Sequence, residues 1–180
     1  RTLALKGLSG RDDGHDALVE LARAGRGREA PEAVQVLAGL KKGDPGRVLL
    51  ETAASENVSR EARREALMRL RTRVRPEYVP ALRNMLSSGI ADVRLLAADL
   101  ILRVGPSPEA RAVLVEELRS VMPEFDLVVP LVTRHQITEA ASLLIARYGT
   151  VPLPVRHRIA NALKLLAPGV VATETGVALA

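Results

Sequence analysis

Apolar residues recur along the chain at the spacing of an α-helix, and no stretch alternates convincingly as a β-strand does. The pattern predicts eleven helices joined by short loops, as is typical of antiparallel helical hairpins. The predicted helices cover 2–9, 14–24, 30–41, 45–55, 59–73, 76–88, 92–104, 108–121, 124–134, 137–148 and 153–167. The segment 168–180 breaks the pattern, and a disordered tail or a short strand around 170–173 fits it equally well.

Residues at the predicted helix ends suit those positions. Ser59 and Asp92 are expected as N-caps, because their side-chain oxygens can accept hydrogen bonds from free backbone N–H groups. Three prolines stand in first turns, where a missing N–H is tolerated: Pro76, Pro108 and Pro154. Five glycines follow helix ends, where a left-handed residue is expected: Gly25, Gly43, Gly89, Gly105 and Gly149.

One short helical pattern returns at a spacing close to 31 residues. Its clear copies are Arg1-Thr2-Leu3-Ala4-Leu5, Arg63-Arg64-Glu65-Ala66-Leu67, Arg94-Leu95-Leu96-Ala97-Ala98 and Arg156-His157-Arg158-Ile159-Ala160, with weaker copies near Glu32 and Phe125. A period in this range indicates a solenoid of stacked helix pairs, in which each repeat touches only its neighbours.

The second helix of each pair repeats as well, since Pro76-Glu77-Tyr78-Val79-Pro80-Ala81-Leu82 is similar to Pro108-Glu109-Ala110-Arg111-Ala112-Val113-Leu114. With first helices that begin Asp92-Val93-Arg94-Leu95-Leu96-Ala97-Ala98, the chain resembles the HEAT-repeat family, especially its short bacterial form, the type found in phycobilisome lyases. The resemblance covers about 1–167, although the copies near 32 and 125 lack the Val-Arg pair.

The resemblance implies an all-α fold, a right-handed α-α superhelix of about five to six helical hairpins. It implies one domain over 1–167 followed by a tail at 168–180. In that family the recurrent Asp and Arg residues form hydrogen bonds between neighbouring repeats. The residues expected in such a structural ladder are Arg63, Asp92, Arg94 and Arg156.

Composition limits the core and the class of protein. Aromatic residues make up 2% of the chain and Trp is absent, so we expect a core of Leu, Val, Ile and Ala. No cysteine is present to form a disulfide or thiolate site. The sequence has no run of about 18 apolar residues, so no transmembrane segment is predicted. The chain begins inside the helical pattern, as part of a longer protein would, and the compartment stays open, with the cytoplasm favoured over export.

The net charge of +5 is concentrated in 60–75, which holds seven Arg and two Glu, while the rest carries 19 basic and 19 acidic residues. A helical wheel places Arg60, Arg64, Arg71 and Arg75 along one edge of a helix. A solvated outer helix would explain them, and so would a patch for an acidic protein or a nucleic acid backbone. Because exposed charges contribute little to stability, we expect replacement of Arg64, Arg71 and Arg75 by Ser to leave the stability nearly unchanged.

Candidate chemistry is sparse. The run Asp12-Asp13-Gly14-His15-Asp16 is read as a helix-capping turn in preference to a metal site. His135 and His157 lack a partner motif for nucleophilic catalysis. Glu116 and Glu117 are consecutive helical positions about 100° apart, so they are expected to be surface charges rather than a catalytic pair. The sequence therefore predicts no catalytic, cofactor or metal site.

These features favour a non-enzymatic scaffold that binds another protein, or another domain of the same longer chain, through its concave face or the basic patch. In the family resembled, second helices line the concave face. Exposed candidates there are Arg83, Asn84, Arg111, Glu117 and Arg119. Two alternatives stay open: a HEAT-like nucleic-acid-binding protein, and a lyase-associated scaffold resembling phycobilin lyase subunits. Both would normally offer aromatic contacts, which this chain has in small number.

Overall fold

A computed structural model describes residues 14–24, 29–39, 44–172 and 177–179. Over these ranges the regular secondary structure consists of helices and two short C-terminal β-strands. The helices are α1 (Gly14–Ala24), α2 (Glu29–Ala38), α3 (Pro45–Ala54), α4 (Arg60–Leu70), α5 (Val79–Met85, preceded by a 3-10 turn at Pro76–Tyr78), α6 (Ala91–Val104), α7 (Pro108–Arg119), α8 (Phe125–Arg134), α9 (Ala140–Tyr148) and α10 (Leu153–Leu166).

The all-helical prediction is confirmed, and most helix bounds agree with the sequence to within three residues. The helix predicted at 2–9 and the copy of the pattern at Arg1 lie outside the described residues. At the C-terminus, β1 (Val170–Ala172) pairs antiparallel with β2 (Val177–Leu179), so a short strand is correct for 170–172.

The 31-residue period is visible in the helix starts. The first helices α2, α4 and α6 begin at 29, 60 and 91, and the second helices at 45 and 76 begin with prolines. Pro45, Pro76 and Pro108 all lie in first turns, where the missing N–H costs no hydrogen bond. The repeat therefore sets where helices begin, as the sequence predicts.

The chain divides into two compact units, 1–106 and 107–180. In the described part of the first, α2, α4 and α6 pack side by side, α3 packs on α1 and α5, and consecutive helices close the hairpins. In the second, α8 packs on α10, α7 packs on α9, and β1 packs on α10. Each unit thus has two helical layers, and a single array over 1–167 stays a prediction.

Leucine dominates the core. Burying each such side chain contributes about 1.5–3 kcal/mol. Fully buried leucines include Leu49, Leu67, Leu70, Leu82, Leu95, Leu100, Leu114, Leu118 and Leu144. The expectation of a core without aromatic rings is wrong, because Tyr78 and Tyr148 are both buried. Gly46 allows the close approach of Tyr78, since a Cβ there would lie 2.7 Å from the tyrosine hydroxyl.

One of the two N-cap predictions is confirmed and the other is wrong. Ser59 does cap α4, and its Oγ accepts from the Ala62 backbone N–H at 3.3 Å. Asp92 does not cap α6: the N-cap is Ile90, and the Asp92 side chain turns toward α4 instead. The prediction of a left-handed conformation is also wrong for Gly89, Gly105 and Gly149. Gly25 and Gly43 lie outside the described residues. The one described non-glycine residue with positive φ is Gln136, after α8.

Arginines near the start of first helices donate to backbone carbonyls at the end of the preceding second helix or in the connection that follows it. Arg63 Nε donates to the Ala53 carbonyl at 2.9 Å, and Arg94 Nη1 donates to the Ser88 carbonyl at 2.7 Å. Arg156 donates to the carbonyls of Val151 and Gly149. The last carbonyls of a helix lack intrahelical partners, so the Arg63 guanidinium satisfies a group that α3 leaves open. Arg63 thus joins α4 to α3, whereas Arg94 and Arg156 each hold the connection that precedes their own helix, and a ladder along the whole array stays a prediction.

We expect Arg63→Ala to lower the free energy of unfolding by about 1.5–3 kcal/mol, the usual contribution of a hydrogen bond from a charged donor. Arg63 is buried, so the Ala53 carbonyl would lose its partner where water is scarce. The matched control is Arg83→Ala on α5, which is exposed and should change stability by less than about 0.5 kcal/mol. Urea unfolding measures both, and equal effects would contradict a linking role for Arg63.

Candidate functional site

The arginine-rich helix α4 faces two aspartates on α6. Arg60, Arg64 and the Arg71 that follows the helix lie on the edge of α4 that packs toward α6. Asp92 and Asp99 are seven residues apart, which is two helical turns, so both lie on one side of α6. The predicted binding residues include Arg60, Arg64, Arg71 and Arg75. The first three of these contact aspartates of the neighbouring repeat.

Asp92 accepts two hydrogen bonds from Arg60, from Nε at 3.2 Å and Nη2 at 3.1 Å. Arg64 Nε approaches the same oxygen at 3.9 Å. The carboxylate is buried, whereas about half of each arginine side chain is exposed. Burial of a carboxylate requires an ionic or hydrogen-bonded partner, so the Arg60 contact is a condition for this packing.

Asp99 is more deeply placed, with no solvent exposure. Its Oδ2 lies 3.1 Å from Arg71 Nε and 3.1 Å from Arg103 Nε, the latter one turn further along α6. Two guanidinium groups therefore share one buried carboxylate. The helical wheel placed Arg71 on an edge that was expected to be exposed. A wheel of one helix cannot show that Asp99, 28 residues later, packs beside that edge.

Arg75 belongs to a separate cluster with Asp44 and Tyr78. Its Nη1 lies 3.6 Å from Asp44 and 3.6 Å from Glu77, and its guanidinium stands 5.9 Å from the centre of the Tyr78 ring. The tyrosine hydroxyl donates to Asp44 at 3.2 Å. Hydrogen bonding from the Arg47 backbone N–H lowers the pKa of Asp44, and burial raises the pKa of Tyr78. The cluster joins the starts of α3 and α5, one repeat apart.

An ion pair of the same span occurs in the second unit with its polarity reversed. In the first unit Arg60 precedes Asp92 by 32 residues, and in the second Asp126 precedes Arg158 by 32. A groove between α8 and α10 lies beside the latter pair, lined by Val129, Pro130, Thr133, Arg134, Arg158, Asn161, Ala162 and Leu165. First helices are thus joined by charge in both units.

A groove over α7 in the second unit has a volume of about 730 Å³. Its apolar lining comes from Pro108, Ala112, Val113 and Val115, and its charged lining from Arg111, Glu116, Arg119 and Glu139. Arg111 makes a bidentate pair with Glu139, with both oxygens at 3.0 Å from Nη2. Arg119 pairs with Glu116 at 3.0 Å. Two of the predicted second-helix candidates, Arg111 and Arg119, are thus brought together at one groove.

The other second-helix candidates have different settings. Arg83 and Asn84 are exposed on α5 in the first unit. Glu117 is buried, which corrects its assignment as an exposed surface charge. Its Oε1 accepts the backbone N–H of Glu124 at 3.0 Å, just before α8, where a carboxylate also complements the helix dipole. Glu116 is exposed as predicted. Sequence periodicity alone could not separate two consecutive glutamates by burial.

Other candidate chemistry is limited within the part of the chain that the structure describes. No group of three His, Asp or Glu side chains there could hold a metal ion. Asp12 and Asp13 of the predicted capping turn lie outside the described residues, as does the side chain of His15. Among the described helices none has the length and apolar content needed to cross a membrane.

Comparisons with known proteins add no relative. No protein-family model matches the chain, and no curated protein or solved structure matches it. The resemblance to HEAT repeats therefore rests on the residues that carry the 31-residue pattern.

We expect Arg71→Ser to lower the free energy of unfolding by about 1–2 kcal/mol, less than for a fully buried ion pair, because Arg103 still contacts Asp99. The expectation from sequence was different, namely that replacing Arg64, Arg71 and Arg75 together leaves stability nearly unchanged. Arg119→Ser, which removes an exposed arginine paired with an exposed glutamate, should change stability by less than about 1 kcal/mol. Denaturant unfolding of both variants checks the difference, and a neutral Arg71→Ser would show that Asp99 does not need this partner.

Acid should weaken the second unit through Glu139. Hydrogen bonds from its own backbone N–H, and then from Arg111, lower the pKa of Glu139 below its usual 4.5. A carboxyl group with a lower pKa in the folded state stabilises the fold above pH 4.5, and this contribution is lost as the pH falls below that value. Unfolding at about pH 6 and about pH 3 should therefore show a smaller loss of stability for Glu139→Gln than for the wild type. Equal losses would contradict the assignment.

Proposed function

We propose that this chain is a non-enzymatic helical-repeat scaffold that binds another protein, or another domain of the same protein, in the α7 groove. The observation that carries the proposal is the lining of that groove, which combines an apolar strip with charges of both signs. Protein interfaces commonly place an apolar centre inside a polar rim. The apolar strip over α7 includes exposed Ala112 and half-buried Val113.

The rim favours a protein over a polyanion. Each arginine in the groove stands beside a glutamate, Arg111 beside Glu139 and Arg119 beside Glu116. A nucleic acid backbone presents only negative charge, so its phosphates would meet repulsion from both carboxylates. A peptide segment can instead present an apolar side chain to Ala112 and residues of either charge to the rim.

The proposed architecture is the right-handed α-α superhelix implied by the HEAT resemblance. It is supported within each unit by the packing of alternate helices into two layers. The α7 groove lies over the layer of second helices, which in that family lines the concave face. A scaffold of this kind would use the layer of second helices for partners and the ion-paired layer of first helices to hold the stack.

Ala112→Arg tests the groove, because a long side chain at this exposed position would fill the apolar strip without entering the core. Affinity capture with the wild-type chain, followed by mass spectrometry, identifies bound proteins. We expect those that occupy the groove to be reduced at least about tenfold for Ala112→Arg, the effect of losing a central contact.

The matched control is Ala146→Arg on α9, an exposed alanine of the same unit that does not line the groove. It adds the same charge and volume and should retain every partner. Capture is repeated after nuclease treatment, since partners bridged by nucleic acid would then disappear from both samples. The proposal fails if no protein distinguishes the two variants, or if binding depends on nucleic acid.

A further inference from the structure

The seam between α4 and α6 places arginines at the surface and carboxylates beneath them. Four guanidinium groups, which we call the arginine seam, surround the two buried aspartates: Arg60, Arg64, Arg71 and Arg103. The guanidinium groups outnumber the two carboxylates that they surround. Because Asp92 and Asp99 are buried and the arginines are at least partly exposed, an approaching molecule meets mainly the positive groups.

An apolar side chain is exposed beside this seam. Met68 of α4 is 41% exposed, one of the few large apolar side chains on the described surface. It follows Arg64 by four residues and precedes Arg71 by three, which places all three on adjoining positions of the helix surface. Methionine is flexible and polarisable, and it adapts to varied apolar partners at binding surfaces.

The acidic residues of α4 lie on its other flank. Glu65 is paired with Arg69 at 2.7 Å, and its side chain is largely covered. Glu61 is exposed, but it points about 100° away from Arg60 around the helix. The positive charge is therefore one-sided, with Met68 between the arginine seam and the acidic flank.

We propose that the arginine seam and Met68 bind an acidic segment of a partner protein that carries an apolar side chain. Charge complementarity selects the acidic segment, and the exposed thioether selects its apolar residue. The surface belongs to the first unit, so the inference does not depend on the α7 groove of the second unit.

The buried aspartates make the seam a prepared surface. Asp92 and Asp99 hold the guanidinium groups of Arg60, Arg71 and Arg103 before any partner arrives. Ordering a long side chain on binding costs free energy, and this cost falls when the side chain is already held. Planar guanidinium groups also match carboxylates in shape, which suits Asp and Glu side chains of the partner.

A protein partner fits this surface better than a nucleic acid. Surfaces for single strands normally add aromatic rings on which bases stack, and α4 has no aromatic residue in its sequence REARREALMRL. A phosphate backbone would use the arginines and leave Met68 without a role. An acidic peptide with an apolar residue uses both.

The test uses fluorescence anisotropy with the complete chain and four labelled probes. The first is a synthetic peptide of Glu with Leu at every third or fourth position. The second replaces each Leu with Ser, the third replaces each Glu with Lys, and the fourth is a single-stranded oligonucleotide of matching net charge. We expect the Glu-Leu peptide to bind at least about fivefold more tightly than the other three.

Two variants and a matched control locate the surface. Arg64→Gln and Met68→Ser should each weaken binding of the Glu-Leu peptide at least about fivefold. Both positions are exposed, and Arg60 still covers Asp92 when Arg64 is changed, so the fold should persist. Arg69→Gln removes the same charge from the opposite edge of α4 and should change affinity by less than about twofold.

Each other outcome overturns the proposal. Equal losses for Arg64→Gln and Arg69→Gln would show general charge attraction, and no effect of Met68→Ser would remove the apolar contact. Tighter binding of the oligonucleotide would assign the seam to nucleic acid. Absence of Glu-Leu peptide binding, or equal binding of the Lys peptide, would refute the surface without reference to any variant. Melting temperatures accompany every measurement so that loss of fold is not read as loss of binding.

Discussion

Two buried aspartates of α6 determine how α4 and α6 pack in the first unit. Asp92 and Asp99 are tolerated in the interior because guanidinium groups of α4 and α6 stand against them. An unpaired carboxylate in that position would cost several kcal/mol. The helices α4 and α6 therefore cannot slide or rotate against each other without separating charges. Leucine burial supplies most of the attraction between helices, while these pairs define which positions meet.

Carbonyls at the ends of second helices impose a further condition. The Ala53 carbonyl at the end of α3 accepts from Arg63, whereas Arg94 and Arg156 donate to carbonyls in the connections after α5 and α9. Loops between helix pairs are short, so their backbone groups lie close to the next first helix. One recurring residue type thus resolves the same problem at three repeat boundaries. The recurrence of Arg at this position in the sequence has a physical cause in the need of backbone carbonyls near each boundary for a hydrogen-bond donor.

The sequence predicts the helices well because apolar spacing and end residues are local signals. Proline and Ser59 mark helix starts by the backbone groups they leave or satisfy nearby. It predicts burial and pairing less well, since these depend on residues about 30 positions away. Arg71 was expected in solvent, and Glu117 was expected at the surface. Both expectations were wrong because a wheel shows which edge of a helix a residue occupies, but not which neighbour covers that edge.

The reversed polarity of the interhelix ion pairs gives the repeats an order. In the first unit the arginine comes one repeat before its aspartate, and in the second unit the aspartate comes first. A repeat copied from one unit into the other would leave these charges without their present partners, because the paired residues of α6 and α10 differ in charge and in position along the helix. Shuffling and duplication, by which repeat proteins can lengthen, are thereby restricted in this chain. The charged residues of each first helix thus match those of its present neighbour.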